Sequence, residues 1–297
     1  MTGRFTVVIP TLDRPQQLAA TLDALDAQPE GDFAVVVVDD SPVVDESLAD
    51  RERRDGRLTV LRPPGRGLSR ARNVGWRSAD TEWIVFLDDD ALVAPDWERE
   101  LRRAIDTHPD AWCVSGHIGA RSVPEGDYVP VTVRRLDREV VHSGRWTRPW
   151  LIGFTVCIAI RRAVLDQLGG FDESLGPGVP NFPSSEDMDL NYRLLRAGGS
   201  SYSTPRLRTE HDQWRPLAEL APHYRGYMAG WCGFATKQLR TGDVVGGLWL
   251  WSIGVADFLR MLASAVRRRS RVRARVASSK FQGLVAGTAA GLVHRWR

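Results

Sequence analysis

Three consecutive carboxylates, Asp88, Asp89 and Asp90, follow directly on the apolar run 83–87. Like charges packed that tightly repel and raise one another's pKa unless a cation neutralises them. A divalent metal is the economical answer. Hard Mg²⁺ or Mn²⁺ takes carboxylate oxygens and leaves room for water and phosphate. In an extended segment Asp88 and Asp90 point to one side and Asp89 to the other. The competing structural reading is a solvated, Asp-rich turn that caps the next helix. A second acidic group, Glu186-Asp187, opens a helical pattern, where backbone N–H groups and the macrodipole favour negative charge. Helix capping is therefore the alternative there.

The elements that must position these groups are legible upstream. To about residue 120, short apolar runs alternate with amphipathic stretches, the pattern of βαβ units and a mainly parallel sheet. Strands are expected at 5–9, 33–38, 58–61 and 83–87. Helices are expected around Leu18, Leu22 and Leu25, at 45–54 and at 68–79. In such a sheet the strands deliver their carboxyl ends to one edge, where ligands bind. That edge reads Pro10-Thr11-Leu12-Asp13-Arg14 after strand one, Asp39-Asp40-Ser41 after strand two, Arg62-Pro63-Pro64-Gly65 after strand three and the triple Asp after strand four. From 112 to 162 the pattern is irregular and β-like, ending in the apolar run 150–160. A Gly- and Pro-rich loop at 169–183 leads into a helix from about 185 to 195, and beyond 217 the chain turns to long helical stretches.

Five segments in order resemble the family 2 glycosyltransferases of GT-A fold. They are Val8-Ile9-Pro10-Thr11, Val37-Val38-Asp39-Asp40-Ser41, Ala71-Arg72-Asn73-Val74-Gly75, Phe86-Leu87-Asp88-Asp89-Asp90, and Gly169-Gly170-Phe171-Asp172-Glu173 followed by Ser185-Glu186-Asp187. The resemblance implies an inverting, rhamnosyltransferase-like enzyme with an α/β fold, a Rossmann-like mixed sheet with flanking helices, plus a C-terminal helical appendage. It implies a catalytic domain at 1–215, with a nucleotide-sugar half at 1–120 and an acceptor half at 121–215, and a helical region at 216–297. Carried over by position, Pro10, Thr11, Asp13 and Arg14 border the nucleotide, and Asp40 reads the base edge, where a carboxylate suits a pyrimidine N–H. Arg72 lies near the diphosphate, unless it is a surface helix arginine. Asp89, with Asp88, takes the ribose, and Asp90 takes the metal, Mn²⁺ or Mg²⁺. Asp187 becomes the general base, while Asp189 two residues on points elsewhere. His211 falls where many members place a histidine on the metal, although a lone histidine is usually structural. The implied donor is a UDP- or dTDP-sugar and the acceptor a glycan, lipid-linked or small-molecule hydroxyl, in cell-envelope or other glycan synthesis.

A processive polysaccharide synthase shares the nucleotide half, but its QxxRW signature is absent from Gln213-Trp214-Arg215-Pro216, and no apolar stretch is expected to reach the roughly 20 residues a spanning helix needs. A nucleotidyltransferase or dinucleotide dehydrogenase would need a glycine-rich loop after strand one, which Thr11-Leu12-Asp13-Arg14 is not. A catalytically inactive sugar-binding or scaffold protein should have lost Asp90 or Asp187; both are present.

At 297 residues, with 43% hydrophobic and 26% charged residues, the chain has a globular composition. Cys113, Cys157 and Cys232 lie far apart and read as buried thiols in a reducing compartment. The N-terminus reaches its first apolar run too soon for a signal peptide, so a cytoplasmic location is expected. Net charge is +3, yet no Asp or Glu follows Asp257, while six arginines crowd 267–275. With the apolar stretches 244–256 and 284–293, that run suits peripheral contact with the inner face of the cell membrane. A helical subdomain packed on the catalytic domain or in a dimer is the alternative. No aromatic stacking platform or recognised fold supports nucleic-acid binding.

Overall fold

The computed structural model describes residues 3–43, 45–121, 128–216 and 219–296. The chain divides into two compact units, one of 1–126, 130–171 and 187–214, the other of 127–129, 172–186 and 215–297. The segment 172–186, inside the catalytic range expected from sequence, thus groups with the C-terminal helices.

The first unit is built on a nine-stranded mixed sheet. Four parallel strands, β1 (Phe5–Thr11), β2 (Ala34–Asp39), β3 (Leu58–Leu61) and β4 (Trp83–Leu87), lie in the order β3-β2-β1-β4. Beyond β4 come β9 (Cys157–Arg161), β6 (Cys113–Ala120), β10 (Ser201–His211) and β5 (Ala91–Val93), with β8 (Val140–His142) also on β10. β9 runs antiparallel to both β4 and β6, whereas β10 is parallel to β6. The sheet is therefore mixed, as expected, with its first four strands parallel and the antiparallel pairs beyond them. Two further short strands are β7 (Tyr128–Pro130) and β11 (Trp214–Pro216).

Both sheet faces are covered, which is why the central strands read as unbroken apolar runs. On one face Val7, Ile9, Val37, Val85 and Leu87 pack with α1 (Pro15–Asp26), α2 (Glu46–Arg54) and α4 (Trp97–Thr107). On the other, Val8, Val38, Ile84 and Phe86 meet α3 (Leu68–Ser78), α5 (Arg162–Leu168) and α6 (Glu186–Arg196). Local signals set the helix starts: Pro15 opens α1, and the Asp45 side chain accepts the Ser47 N–H ahead of α2. The apolar run 150–160 yields only β9 at its end. Before it a 3₁₀ turn at Pro149–Leu151 and Gly153, at φ +147°, break the extended chain.

The second unit is dominated by α7 (Leu220–Arg240), α8 (Val244–Arg267) and α9 (Arg271–Val293); residue 217 lies outside the described residues. α9 packs on α7 through Gly283, Gly287 and Gly291, spaced four apart; a Cβ on Gly287 would stand 2.2 Å from the Ala229 carbonyl oxygen. The expectation that no apolar stretch reaches membrane-spanning length is corrected here. Asp257 and Arg260 interrupt the apolar sequence, but the helix continues through them, and α8 is long and apolar enough to cross a bilayer by length and composition. All three cysteines are buried and free, and burial pushes the Cys113 and Cys232 thiols up to about 12.

Candidate active site

Strand register brings the acidic triplet and His211 together. The β1/β4 register pairs Val8 with Phe86, so Thr11 at the end of β1 comes level with Asp89. β5 pairs antiparallel with β10, with Ala91 opposite His211, and the Asp212 N–H donates to the Asp90 carbonyl at 3.0 Å. One ligand atom each from Asp88, Asp90 and His211 lies within 4.8 Å of the others.

The histidine is oriented for a cation. Its Nδ1 lies 3.0 Å from the Val131 carbonyl oxygen, which can only accept, so Nδ1 carries the hydrogen. Nε2 then faces the Asp90 carboxylate at 3.1 Å and is a buried nitrogen with no hydrogen-bond partner of acceptable geometry. A lone pair turned toward a carboxylate is stable only with a proton or a metal ion between them. Burial alone would lower the imidazole's basicity, but Asp90 and Asp88 outweigh it and raise its pKa. Burial pushes Asp90 upward, yet His211 and Arg14 together hold it below the usual carboxylate range. Two carboxylates and an imidazole whose far nitrogen is fixed by a backbone carbonyl fit a divalent cation.

The triplet lies in a hydrogen-bonded turn rather than in extended chain, the Ala91 N–H donating to the Asp88 carbonyl at 3.2 Å, and Asp89 turns toward β1 and α1. It accepts from Thr11 Oγ1 at 2.8 Å and Arg14 Nη1 at 3.0 Å, while Thr21 Oγ1 donates to its carbonyl at 2.8 Å. Burial pushes its carboxyl up to about 6 despite these partners. Arg14 also reaches Asp90 Oδ2 at 2.7 Å and so bridges adjacent acids. The triplet is no solvated turn, because Asp89 and Asp90 are 6% and 4% exposed.

Beside this group opens a cleft of about 270 Å³ lined by Thr11, Asp13, Arg14, Asp39, Ser41 and Leu48 among others. Asp13, at φ +54°, donates its N–H to Ser41 Oγ. Pro10 is buried in β1 opposite Val38. Asp40 sits at the same strand end, where its N–H donates to the Thr11 carbonyl and its carboxylate accepts the Gly67 N–H at 3.2 Å.

Arg72 is not a surface arginine: it is 1% exposed, donates to Asp88 Oδ1 at 2.9 Å and lies over the Phe171 ring. Asp187, partly exposed, is the second residue of α6. One turn later on the same helix face, Asn191 donates to the carbonyls of Pro149 and Gly153. The chain from there runs to Val156, whose carbonyl accepts the Asp88 N–H. Asp189 is fully buried on Arg193 at 2.7 Å, pointing away as the helix period requires.

A family model for glycosyl transferase family 2 matches residues 6–169, more than half of the chain. The chain belongs to glycosyl transferase family 2. Within the family it is 26% identical over 192 residues to an uncharacterized glycosyltransferase of Haemophilus influenzae, covering 64% of this chain and 62% of that protein. The chain spans less than two thirds of the length of the curated relatives it matches first. Among solved structures, Staphylococcus aureus TarS 1-349 superposes with a TM-score of 0.60 at 15% identity, over 100% of this chain and 93% of that one. The mannosyltransferase PcManGT from Pyrobaculum calidifontis, in complex with GDP-Man and Mn²⁺, gives 0.61 at 18% identity, over 99% and 88%. These likenesses establish the GT-A fold.

Several residues of this family 2 site were not singled out from sequence. Asp39 is buried, accepts the Ser41 N–H and pairs with Arg62 at 3.3 Å. Thr21 steadies the Asp89 backbone, and its place between Leu18, Leu22 and Leu25 on the inner face of α1 was the available signal. Val131, which fixes the His211 ring, carries no sequence signal because it acts through its carbonyl.

Proposed function

We propose that this protein is a metal-dependent, inverting glycosyltransferase that moves a sugar from a nucleotide diphosphate donor to a hydroxyl acceptor. The observation that carries the reading is the Asp88–Asp90–His211 group, with its buried Nε2 turned to the Asp90 carboxylate, at the carboxyl rim of a GT-A sheet beside an open cleft. The TarS fragment has also been solved with UDP-GlcNAc, and PcManGT with GDP-Man and Mn²⁺, which supports a nucleotide-sugar donor and a divalent ion. Relatives named for succinoglycan and O-antigen biosynthesis and for poly(ribitol-phosphate) modification support a role in cell-envelope or other exported glycans.

Asp90 and His211, with Asp88 alongside, would hold Mn²⁺ or Mg²⁺; the imidazole favours Mn²⁺. When bound, the cation neutralises charge growing on the departing diphosphate. Thr11, Asp13 and Arg14 border the nucleotide in the cleft, with Pro10 shaping the strand end and Asp40 offering a carboxylate to the base edge. Asp89 takes the ribose hydroxyls. Arg72 keeps Asp88 in place and adds positive potential near the diphosphate. Asp187 accepts the acceptor's hydroxyl proton as that oxygen attacks the anomeric carbon, which inverts its configuration. Charge builds on the leaving group in the transition state, so fixed groups aimed there lower the barrier.

The test is a panel of UDP-, dTDP- and GDP-sugars with Mn²⁺ or Mg²⁺, monitored for nucleotide release with and without simple glycoside acceptors. Cation-dependent turnover is expected; a panel silent with every donor and both ions contradicts the reading.

A further inference from the structure

The outward side of α8 has no use in the chemistry above. Packing in the second unit buries Gly247, Leu250, Gly254 and Ala265 along one face of α8. The opposite face would be polar in a helix that met only water. Here the exposed sides carry Val245, Leu248, Leu259, Leu262 and Val266, between 42% and 71% exposed, with the exposed Arg260 at their edge. Such a helix is apolar over most of its circumference, Asp257 and Arg260 apart, yet covered on one side only.

Two further observations extend the patch and give it a charge. Phe258 of α8 touches Phe281 of α9 at a ring distance of 5.6 Å, so the exposed Phe281, Val285 and Leu292 continue the apolar surface onto α9. At the turn between the helices, Arg267, Arg268, Arg269, Arg271 and Arg275 are all exposed, and no acidic residue follows Asp257 to balance them. The same five side chains disfavour a partner whose matching edge is basic.

We propose that the α8–α9 face seats on an anionic lipid bilayer, with the helices lying along the interface, the valines and leucines in the acyl boundary and the arginine turn among the headgroups. An exposed apolar stripe bordered by arginine is the composition of an interfacial helix, and basic residues near an anionic surface add affinity that salt screens. Lying flat is preferred to spanning because α8 packs against α7 and α9, and those helices carry Arg225, Lys237, Arg240, Arg273 and Lys280. A bilayer crossing would drag these charges in with it. The inference does not rest on the transferase reading.

Flotation of the full chain with phosphatidylcholine vesicles, with and without phosphatidylglycerol, tests it. Flotation is expected with the mixed vesicles, weaker by about tenfold or more with phosphatidylcholine alone or in high salt. The Leu248→Asp, Leu259→Asp, Leu262→Asp variant should lose flotation while keeping its helical circular dichroism. The Arg268→Glu, Arg271→Glu, Arg275→Glu variant should lose the preference for phosphatidylglycerol. Failure of the wild-type chain to float at low salt overturns the proposal, as does flotation unchanged by the leucine variant. A vesicle-free dimer in light scattering that the leucine variant converts to monomer would assign the face to a second copy and overturn it equally.

Discussion

Asn73 clasps the backbone of Phe171 with both ends of its amide: Nδ2 donates to the Phe171 carbonyl at 2.9 Å, and Oδ1 accepts the Phe171 N–H at 2.9 Å. Trp76 Nε1 donates to the same Oδ1 at 3.0 Å. Gly170, at φ +74°, gives the chain room, since a Cβ there would stand 2.5 Å from Asn73 Oδ1. The Phe171 ring so held meets Phe86 edge-on at 4.9 Å and lies beneath Arg72, the residue that grips Asp88. Three of the five segments that suggested the family are thus joined around the acidic group.

Asn73→Ala should therefore cost about 2–4 kcal/mol, because it strands a buried N–H and a buried carbonyl together. Urea unfolding measures it, and a change under about 0.5 kcal/mol, typical of an inert surface site, would show that the Phe171 backbone is held by other means.

Asp187→Asn should preserve donor binding and lower transfer by about 10²- to 10⁴-fold, the usual contribution of a general base. Steady-state kinetics beside calorimetric donor titration separates the two effects. Wild-type turnover by this variant would remove Asp187 from the mechanism.

In the second unit, Lys237 Nζ lies 2.6 Å from Asp172 Oδ2, with the Lys237 and Asp172 side chains 8% and 19% exposed. Burial pushes the Asp172 carboxyl up, but Lys237 and Ser174 more than offset it and leave the pKa lowered. A depressed carboxylate stabilises the fold fully above its unfolded value of about 4, and that stability fades as pH falls through the folded value. Asp172→Asn should thus lose about 2 kcal/mol at neutral pH. The deficit should shrink toward zero in acid. Denaturant midpoints for both proteins across the acid range check the sign.

Gly287→Val should force α9 away from the Ala229 carbonyl and destabilise by about 1–3 kcal/mol or more. Ala286→Val, one residue earlier at an exposed position, should stay within about 0.5 kcal/mol. Equal thermal midpoints for the two variants would mean that the glycine seam is not tightly packed.

The fold was legible where burial is two-sided. The run at 83–87 became β4 without change, because both faces are covered and every residue is buried and apolar, and 58–61 became the edge strand β3 although Thr59 there is exposed. β1 runs two residues past its apolar end, since Pro10 and Thr11 still pair with Val38 and Asp39. β10 escaped notice because its Pro and charged residues mask a period of two: Leu207, Thr209 and His211 are buried and Arg206, Arg208 and Glu210 exposed. That alternation is what turns His211 inward. The triplet's need for a counter-charge could be read from three adjacent acids, but the burial of Arg72 could not, because its partner Asp88 lies 16 residues away. Nor could Val131 be read, 80 residues from the ring it orients.

The central claim is that Asp90 and His211, with Asp88, hold a divalent cation that brings in the donor's diphosphate. Calorimetric titration of UDP and dTDP into the full chain, with Mn²⁺ or with EDTA, tests it most directly. The account predicts nucleotide binding that requires Mn²⁺ and disappears in Asp90→Ala and His211→Ala. Binding of equal strength in EDTA, or in either variant with Mn²⁺ present, would contradict it.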